Sequence, residues 1–225
     1  MTKLAIVLFA FAGSLGAQGT ANLSGYWELT FDSRSVPPAE LTAAPVAADR
    51  SAQAQHDADA IRWCHYFGVP YVMEQSPIDI VQNVNGKEIA IVFPVRSPGR
   101  HIYTDGRPHV NPDVFDPVSN GHSIGHWEGD TLVVDTVGFS DEGVLAIPGG
   151  GRRSPTSHLV ERYRLLNNGE RLSVIFSWED PKVFAKVHSY EFRYHRMPKG
   201  TEAREFDCDA SDGERTKFLT GISGQ

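Results

Sequence analysis

Gly121 to Phe139 reads GHSIGHWEGDTLVVDTVGF. Two runs rich in β-branched and aromatic residues flank Gly129-Asp130, and a two-residue Gly-Asp loop between such runs is a strong hairpin signal. The loop fixes the register. Glu128 faces Thr131, Trp127 faces Leu132, His126 faces Val133, Gly125 faces Val134 and Ile124 faces Asp135. Side chains alternate and paired residues share a face. One face therefore carries Ser123, Gly125, Trp127, Leu132, Val134 and Thr136. The other carries His122, Ile124, His126, Glu128, Val133, Asp135 and Val137. The Trp127 face reads as packed core. The histidine face is mixed: in a flat sheet it meets solvent, and in a barrel it can line a pocket that is apolar apart from a few placed polar groups. Ile124, Val133 and Val137 favour the pocket, so the expectation is that this face points inward.

Similar runs follow one another along the chain. NLSGYWELTFD opens the series, and from Pro77 come IDIVQ, EIAIVF, RHIYT, the central hairpin, HLVERYRLL, RLSVIFSWE, KVHSYEFRYH and REFDC. Turns such as NVNGK and NNGE separate several of them. Nine or ten strands joined mostly by hairpins predict an all-β fold, an antiparallel meander that closes into a barrel or a strongly bent sheet. Residues 33–70 are rich in Ala and Pro and predict an extended crossing with one short helix near 47–63. Two long loops, RPHVNPDVFDPVSNG and SDEGVLAIPGGGRRSPTS, suit a lid or a binding rim.

The first residues bound the location. Lys3, a short apolar run LAIVLFAFAG and small residues after it form a secretory signal peptide, cleaved after Ala17 or as late as Ala21. The run is too short for a membrane span. The rest, 18–225, suits one domain. The protein is therefore expected to be secreted or periplasmic, where Cys64 and Cys208 would form a disulfide. A net charge of −7 and the lack of a basic, aromatic-interleaved cluster argue against nucleic acid.

Chemistry gathers at three places. His122 or His126 close to Asp135 makes an oriented imidazole, a usable general base. RHIYTDGRPH brings Arg100, His101, Tyr103, Asp105, Arg107 and His109 together. Asp105-Gly106 is turn chemistry, and Arg107 suits an oxyanion or a surface ion pair. In SHLVERYRLL, Leu159, Glu161, Tyr163 and Leu165 share a face, so Glu161 either pairs with an arginine or has a raised pKa. His158 sits beside the long glycine loop. Tyr103, Glu161 and His158 are candidate acids. Asp105, Ile124, Trp127, Glu128 and Val133 are candidate substrate contacts. Neither cofactor nor metal is expected. On a strand His122 and His126 stand roughly 13 Å apart, so a metal shared with His158 is a minor alternative. GHSIG matches GxSxG formally, which keeps a serine hydrolase open, although strand rather than helix follows it.

IYTDGRPH, GHSIGHWEGDTLVVDTVGF and SHLVERYR, in this order, resemble a large set of secreted bacterial proteins of uncharacterised function, over roughly Ser24 to Tyr194. The resemblance implies a family without an activity. It marks Tyr103, Asp105, Arg107, His122, Trp127, Glu128, Asp130, Asp135, His158 and Glu161 as shared pattern. Separately, LSGYWELT is similar to the Gly-x-Trp opening of lipocalin-like barrels, with Gly25 and Trp27 in those places. Such barrels mostly bind apolar small molecules, and fold alone does not transfer function. Two functions remain open: an acid–base enzyme of lyase, hydratase or isomerase type acting on a partly apolar small molecule, and a carrier without chemistry.

Overall fold

The computed structural model describes residues 20–30, 36–42, 68–94, 98–140 and 153–201. Nine strands close into one barrel in sequence order. They are β1 Gly25–Leu29, β2 Ile78–Gln82, β3 Glu88–Val92, β4 Arg100–Tyr103, β5 His122–Glu128, β6 Thr131–Val137, β7 His158–Leu166, β8 Arg171–Glu179 and β9 His188–Arg196. The β5–β6 register is the one the two-residue loop dictates, from His122↔Val137 to Glu128↔Thr131. β9 pairs with β1 and completes the ring.

The meander has one exception. β4 and β5 run parallel, with Ile102 opposite Ser123 and Tyr103 opposite Ile124. A parallel pair needs a crossover connection. The segment from Thr104 to Gly121 supplies it, returning to the end of the barrel where β4 began.

The helix expected near 47–63 lies outside the described residues. So do the expected signal peptide, REFDC, both cysteines and most of the glycine-rich loop. One short helix is described, α1 Tyr71–Gln75, directly after Pro70. Its Met73 is fully buried, and Tyr194 donates its hydroxyl to the Met73 carbonyl at 3.1 Å. Among the described residues no helix is long and apolar enough to cross a membrane.

The barrel interior is filled by side chains. Trp27, Trp178, Phe176, Phe192, Tyr163 and Tyr194 are all fully buried within it. The Gly-x-Trp opening has a mechanical reason. The Arg196 guanidinium lies 4.1 Å over the Trp27 ring and donates to the Ser24 and Gly169 carbonyls at 2.6 and 2.7 Å. A Cβ on Gly25, where φ is +146°, would stand 2.4 Å from that guanidinium. Glycine at this position lets the arginine cross the strand and seal the barrel over the tryptophan.

The Trp127 face of the hairpin is packed core, as its residues predict, but the expectation that the histidine face points inward is not met. Ser123, Leu132, Val134 and Thr136 are buried on the inner side, with Trp127 packed against the same core. The histidine face points out. The physical reason lies in β4 and β7, which bring Arg100 and Glu161 into the interior. Both are buried, and they form an ion pair through both carboxylate oxygens. Arg100 Nε donates to Ser123 Oγ at 3.0 Å and Nη2 to Thr136 Oγ1 at 2.8 Å. Tyr163 donates its hydroxyl to Glu161 Oε1 at 2.7 Å. Ser123 and Thr136 are thus polar residues of an inner face that holds a buried charge pair.

Candidate functional site

The outward face of β5 and β6 is not bare, because the crossover packs on it. Val133 and His122 are buried there despite facing out. The crossover is pinned at its far end: Val118 bridges Phe139, with Val118 N–H donating to the Gly138 carbonyl and Ser140 N–H donating to the Val118 carbonyl. Phe115 lies against Gly138, whose φ is +72°. A Cβ on Gly138 would stand 2.7 Å from the Phe115 ring.

His109, at the end of RPH, reaches two of the hairpin's three catalytic candidates, His122 and Asp135. Its Nε2 is 2.9 Å from Asp135 Oδ1 and its Nδ1 is 2.9 Å from His122 Nδ1. His158, from β7, approaches the other oxygen, with Nε2 3.1 Å from Asp135 Oδ2 and Nδ1 3.4 Å from Glu179 Oε2. A chain of five titratable groups therefore runs along the barrel wall: His122, His109, Asp135, His158, Glu179. Tyr103 stacks on the His122 ring at 5.6 Å between centroids, and Phe115 meets that ring edge-on at 5.8 Å.

Protonation follows from the partners. Burial alone would raise Asp135, but hydrogen bonds from His109 and His158 and their charges hold it below the ordinary carboxylate value. Ionised Asp135 only accepts, so His109 Nε2–H donates to it. When His109 is neutral its Nδ1 is an acceptor, His122 Nδ1–H donates to it, and His122 Nε2 keeps a lone pair. Burial first, then the positive charge that His109 carries when protonated and that of Arg107, lower the His122 pKa. Burial opposes charge on His158 too, but Asp135 and then Glu179 raise its pKa.

Beside His122 lies a crevice of about 280 Å³, walled by Tyr103, Phe115, Val118, Pro98 and His101, with Arg100 and Ser123 in its floor. The sequence candidates divide around it. His122 and Tyr103 line it. His158 and Asp135 support His122 through His109. Arg107 lies 4.0 Å over the outer Tyr103 ring and is bidentate to Asp105, whose carboxyl it holds down to about 2 by hydrogen bonding. Ile124 and Val133 occupy the same outer face.

Four candidates are displaced from the chemistry. His126 is exposed and turns to Glu128 Oε1 at 3.3 Å, away from Asp135. Glu128 is held at the surface by Arg162 at 2.7 Å. Trp127 belongs to the inner face. Glu161 lies inside the barrel and is tied to Arg100, so it cannot serve as the acid of an outer site. Ser123 is a buried strand residue bonded to Arg100 and Thr136 rather than an exposed nucleophile on an elbow, which removes the serine hydrolase reading. With His126 turned away, the three-histidine metal site also falls. Among the described residues, no group of three or more His, Cys, Asp or Glu side chains is arranged to hold a metal ion.

Phe115 and Glu179 were not among the sequence candidates, and His109 was named in its cluster but given no role. His109 had a signal, as the last residue of IYTDGRPH. Arg100 had one too: it alternates with Ile102, and an arginine on an inward face requires a carboxylate such as Glu161. No protein-family model matches the chain, and no curated protein matches it.

Proposed function

We propose that this is an exported β-barrel of the secreted bacterial set its motifs resemble, and that it performs acid–base chemistry on a small, partly apolar molecule held in the outer crevice. His122 Nε2 is the base. The observation that carries this reading is the Asp135–His109–His122 chain, with two contacts of 2.9 Å ending on His122 beside a largely apolar crevice. An ionised carboxylate that fixes the tautomer of one imidazole, and through it a second, makes an oriented base. Removal of a proton by His122 suits lyase, hydratase and isomerase reactions alike. Tyr103, stacked on His122, is the nearest candidate to return a proton.

A carrier without turnover is the second reading. One observation favours it: Arg107, which would steady an oxyanion, is already neutralised by Asp105.

Native mass spectrometry on protein purified from its own host tests both. A bound organic molecule, extracted into solvent and returned to fresh protein, is expected to be converted by the wild type and not by His122→Ala of unchanged fold. A molecule that binds and is recovered unaltered from both proteins overturns the enzyme and leaves the carrier.

A further inference from the structure

We infer that the crevice takes a flat, uncharged aromatic molecule bearing a weakly acidic hydroxyl, in its simplest form a phenol, with that hydroxyl hydrogen-bonded to His122 Nε2. The inference rests on His122 being the oriented base.

Shape comes first. Tyr103 and His122 lie near-parallel at 29°, and Phe115 stands at 74° to His122. These three packed rings all border the crevice, so a ligand there meets an aromatic wall, the partner that a flat aromatic molecule prefers. Its volume of about 280 Å³ exceeds the roughly 150 Å³ that encloses benzene, so it suits one substituted ring or two fused ones.

Charge decides next. A carboxylate or phosphate entering an apolar crevice loses hydration and needs a counter-charge. Two arginines are near, and both are committed. Each of the five N–H groups of Arg100 has an acceptor: Ser123 and Thr136 take one each, Glu161 two, and Tyr163, at 3.4 Å, the last. Arg107 is bidentate to Asp105. His101, on the rim, holds Glu88 at 2.5 Å. A cationic ligand fares no better, because Asp135 serves His109 and His158 and does not line the crevice.

The hydroxyl follows from His122. Its Nδ1–H is donated to His109, so the group it offers the crevice is an acceptor, which needs a donor on the ligand. The ligand keeps its proton in a neutral O–H···Nε2 hydrogen bond, because burial lowers the basicity of His122 and the crevice disfavours a separated charge pair.

The test uses three rings of one shape: 4-nitrophenol, 4-nitroanisole and 4-nitrobenzoate, in mildly acidic buffer where the phenol is uncharged. Binding is followed by NMR shifts. The phenol is expected to perturb Tyr103, Phe115 and His122 and to bind about tenfold more tightly than either analogue, the effect of one good hydrogen bond or one unpaired charge. Phe115→Ala should weaken all three rings. His122→Gln should abolish the preference for phenol over anisole. Benzoate binding as tightly as phenol overturns the inference, as do anisole equal to phenol or shifts mapping away from these rings. The base reading is scored separately, from the ¹⁵N shifts of the ligand-free imidazoles. A protonated Nδ1 and bare Nε2 on His122 support it, and the opposite tautomer sinks it whatever the rings do.

Discussion

Replacing Glu161 by leucine removes both carboxylate contacts to Arg100 and the acceptor of the Tyr163 hydroxyl. It leaves a buried guanidinium with partners only at Ser123, Thr136 and, at 3.4 Å, Tyr163. Breaking a buried ion pair from one side typically costs about 3–5 kcal/mol, because the remaining charge is stranded. The double variant Arg100→Met with Glu161→Leu strands nothing. Ser123 and Thr136 still bond each other at 3.0 Å, and Tyr163 keeps a contact to Met73 Sδ at 3.9 Å. The double variant should therefore be more stable than Glu161→Leu alone by about 2 kcal/mol or more. Urea unfolding followed by tryptophan fluorescence reads this directly. With a slope of roughly 2 kcal/mol/M, the single variant should lose about 1.5–2.5 M in midpoint at unchanged slope, and the double should recover around 1 M of it. A single variant within about 0.3 M of wild type, or a double no better than the single, would show that the pair is not the buried, mutually dependent unit described.

Asp135→Asn removes the charge that raises His158, so the His158 titration seen by NMR should fall from above the ordinary histidine value toward or below it. Unchanged titration would detach His158 from Asp135. Stability should carry the same sign. A histidine whose folded pKa is raised stabilises fully below its unfolded value of about 6.5, and that contribution fades as pH rises through the folded pKa. His158→Gln should accordingly cost more stability near pH 5.5 than near pH 9. His122 acts in the opposite sense: its folded pKa is depressed, so its contribution is present above about pH 6.5 and is lost as pH falls through the folded value. His122→Gln should therefore flatten the acid-side decline; a steeper one counts against a buried neutral ring. Gly138→Ala combines a positive φ with a 2.7 Å approach to Phe115. It should cost roughly 1–2 kcal/mol from the backbone and shift the Phe115 ring resonances, whereas a neutral substitution would mean that Phe115 does not rest there.

The hairpin register was legible because a two-residue loop leaves no freedom of pairing. Which face turned inward was not, and the composition of the faces explains why. On the outer face the crossover sets His109 and Phe115 against His122, and the inner face holds Ser123 and Thr136 because they hydrogen-bond Arg100. The two faces came out nearly balanced in polarity, so hydropathy identified the Trp127 face as core but also drew the histidine face inward. The crossover itself was the blind spot. RPHVNPDVFDPVSNG has neither period, so nothing local announced that it would double back, make β4 and β5 parallel, and set His109 between His122 and Asp135. His122 or His126 with Asp135 was legible as a pair, since polar titratable residues stand out among valines, and His158 was legible only as a separate candidate beside the glycine-rich loop. Their actual connection runs through a loop residue.

The seam between β1 and β9 has a consequence for how the molecule comes into being. Trp27, Glu28 and Leu29 pair with Arg196, His195 and Tyr194, so the first and last strands of the barrel complete each other. A chain that emerges N-terminus first, from a ribosome or through a pore in a membrane, cannot close this ring until its ninth strand has arrived. Until then Trp27 lacks the Arg196 that covers it and β1 is an open edge, a template for pairing with any neighbouring strand. The same dependence means that truncation within β9 would remove the partner of β1 and the cover of Trp27 together.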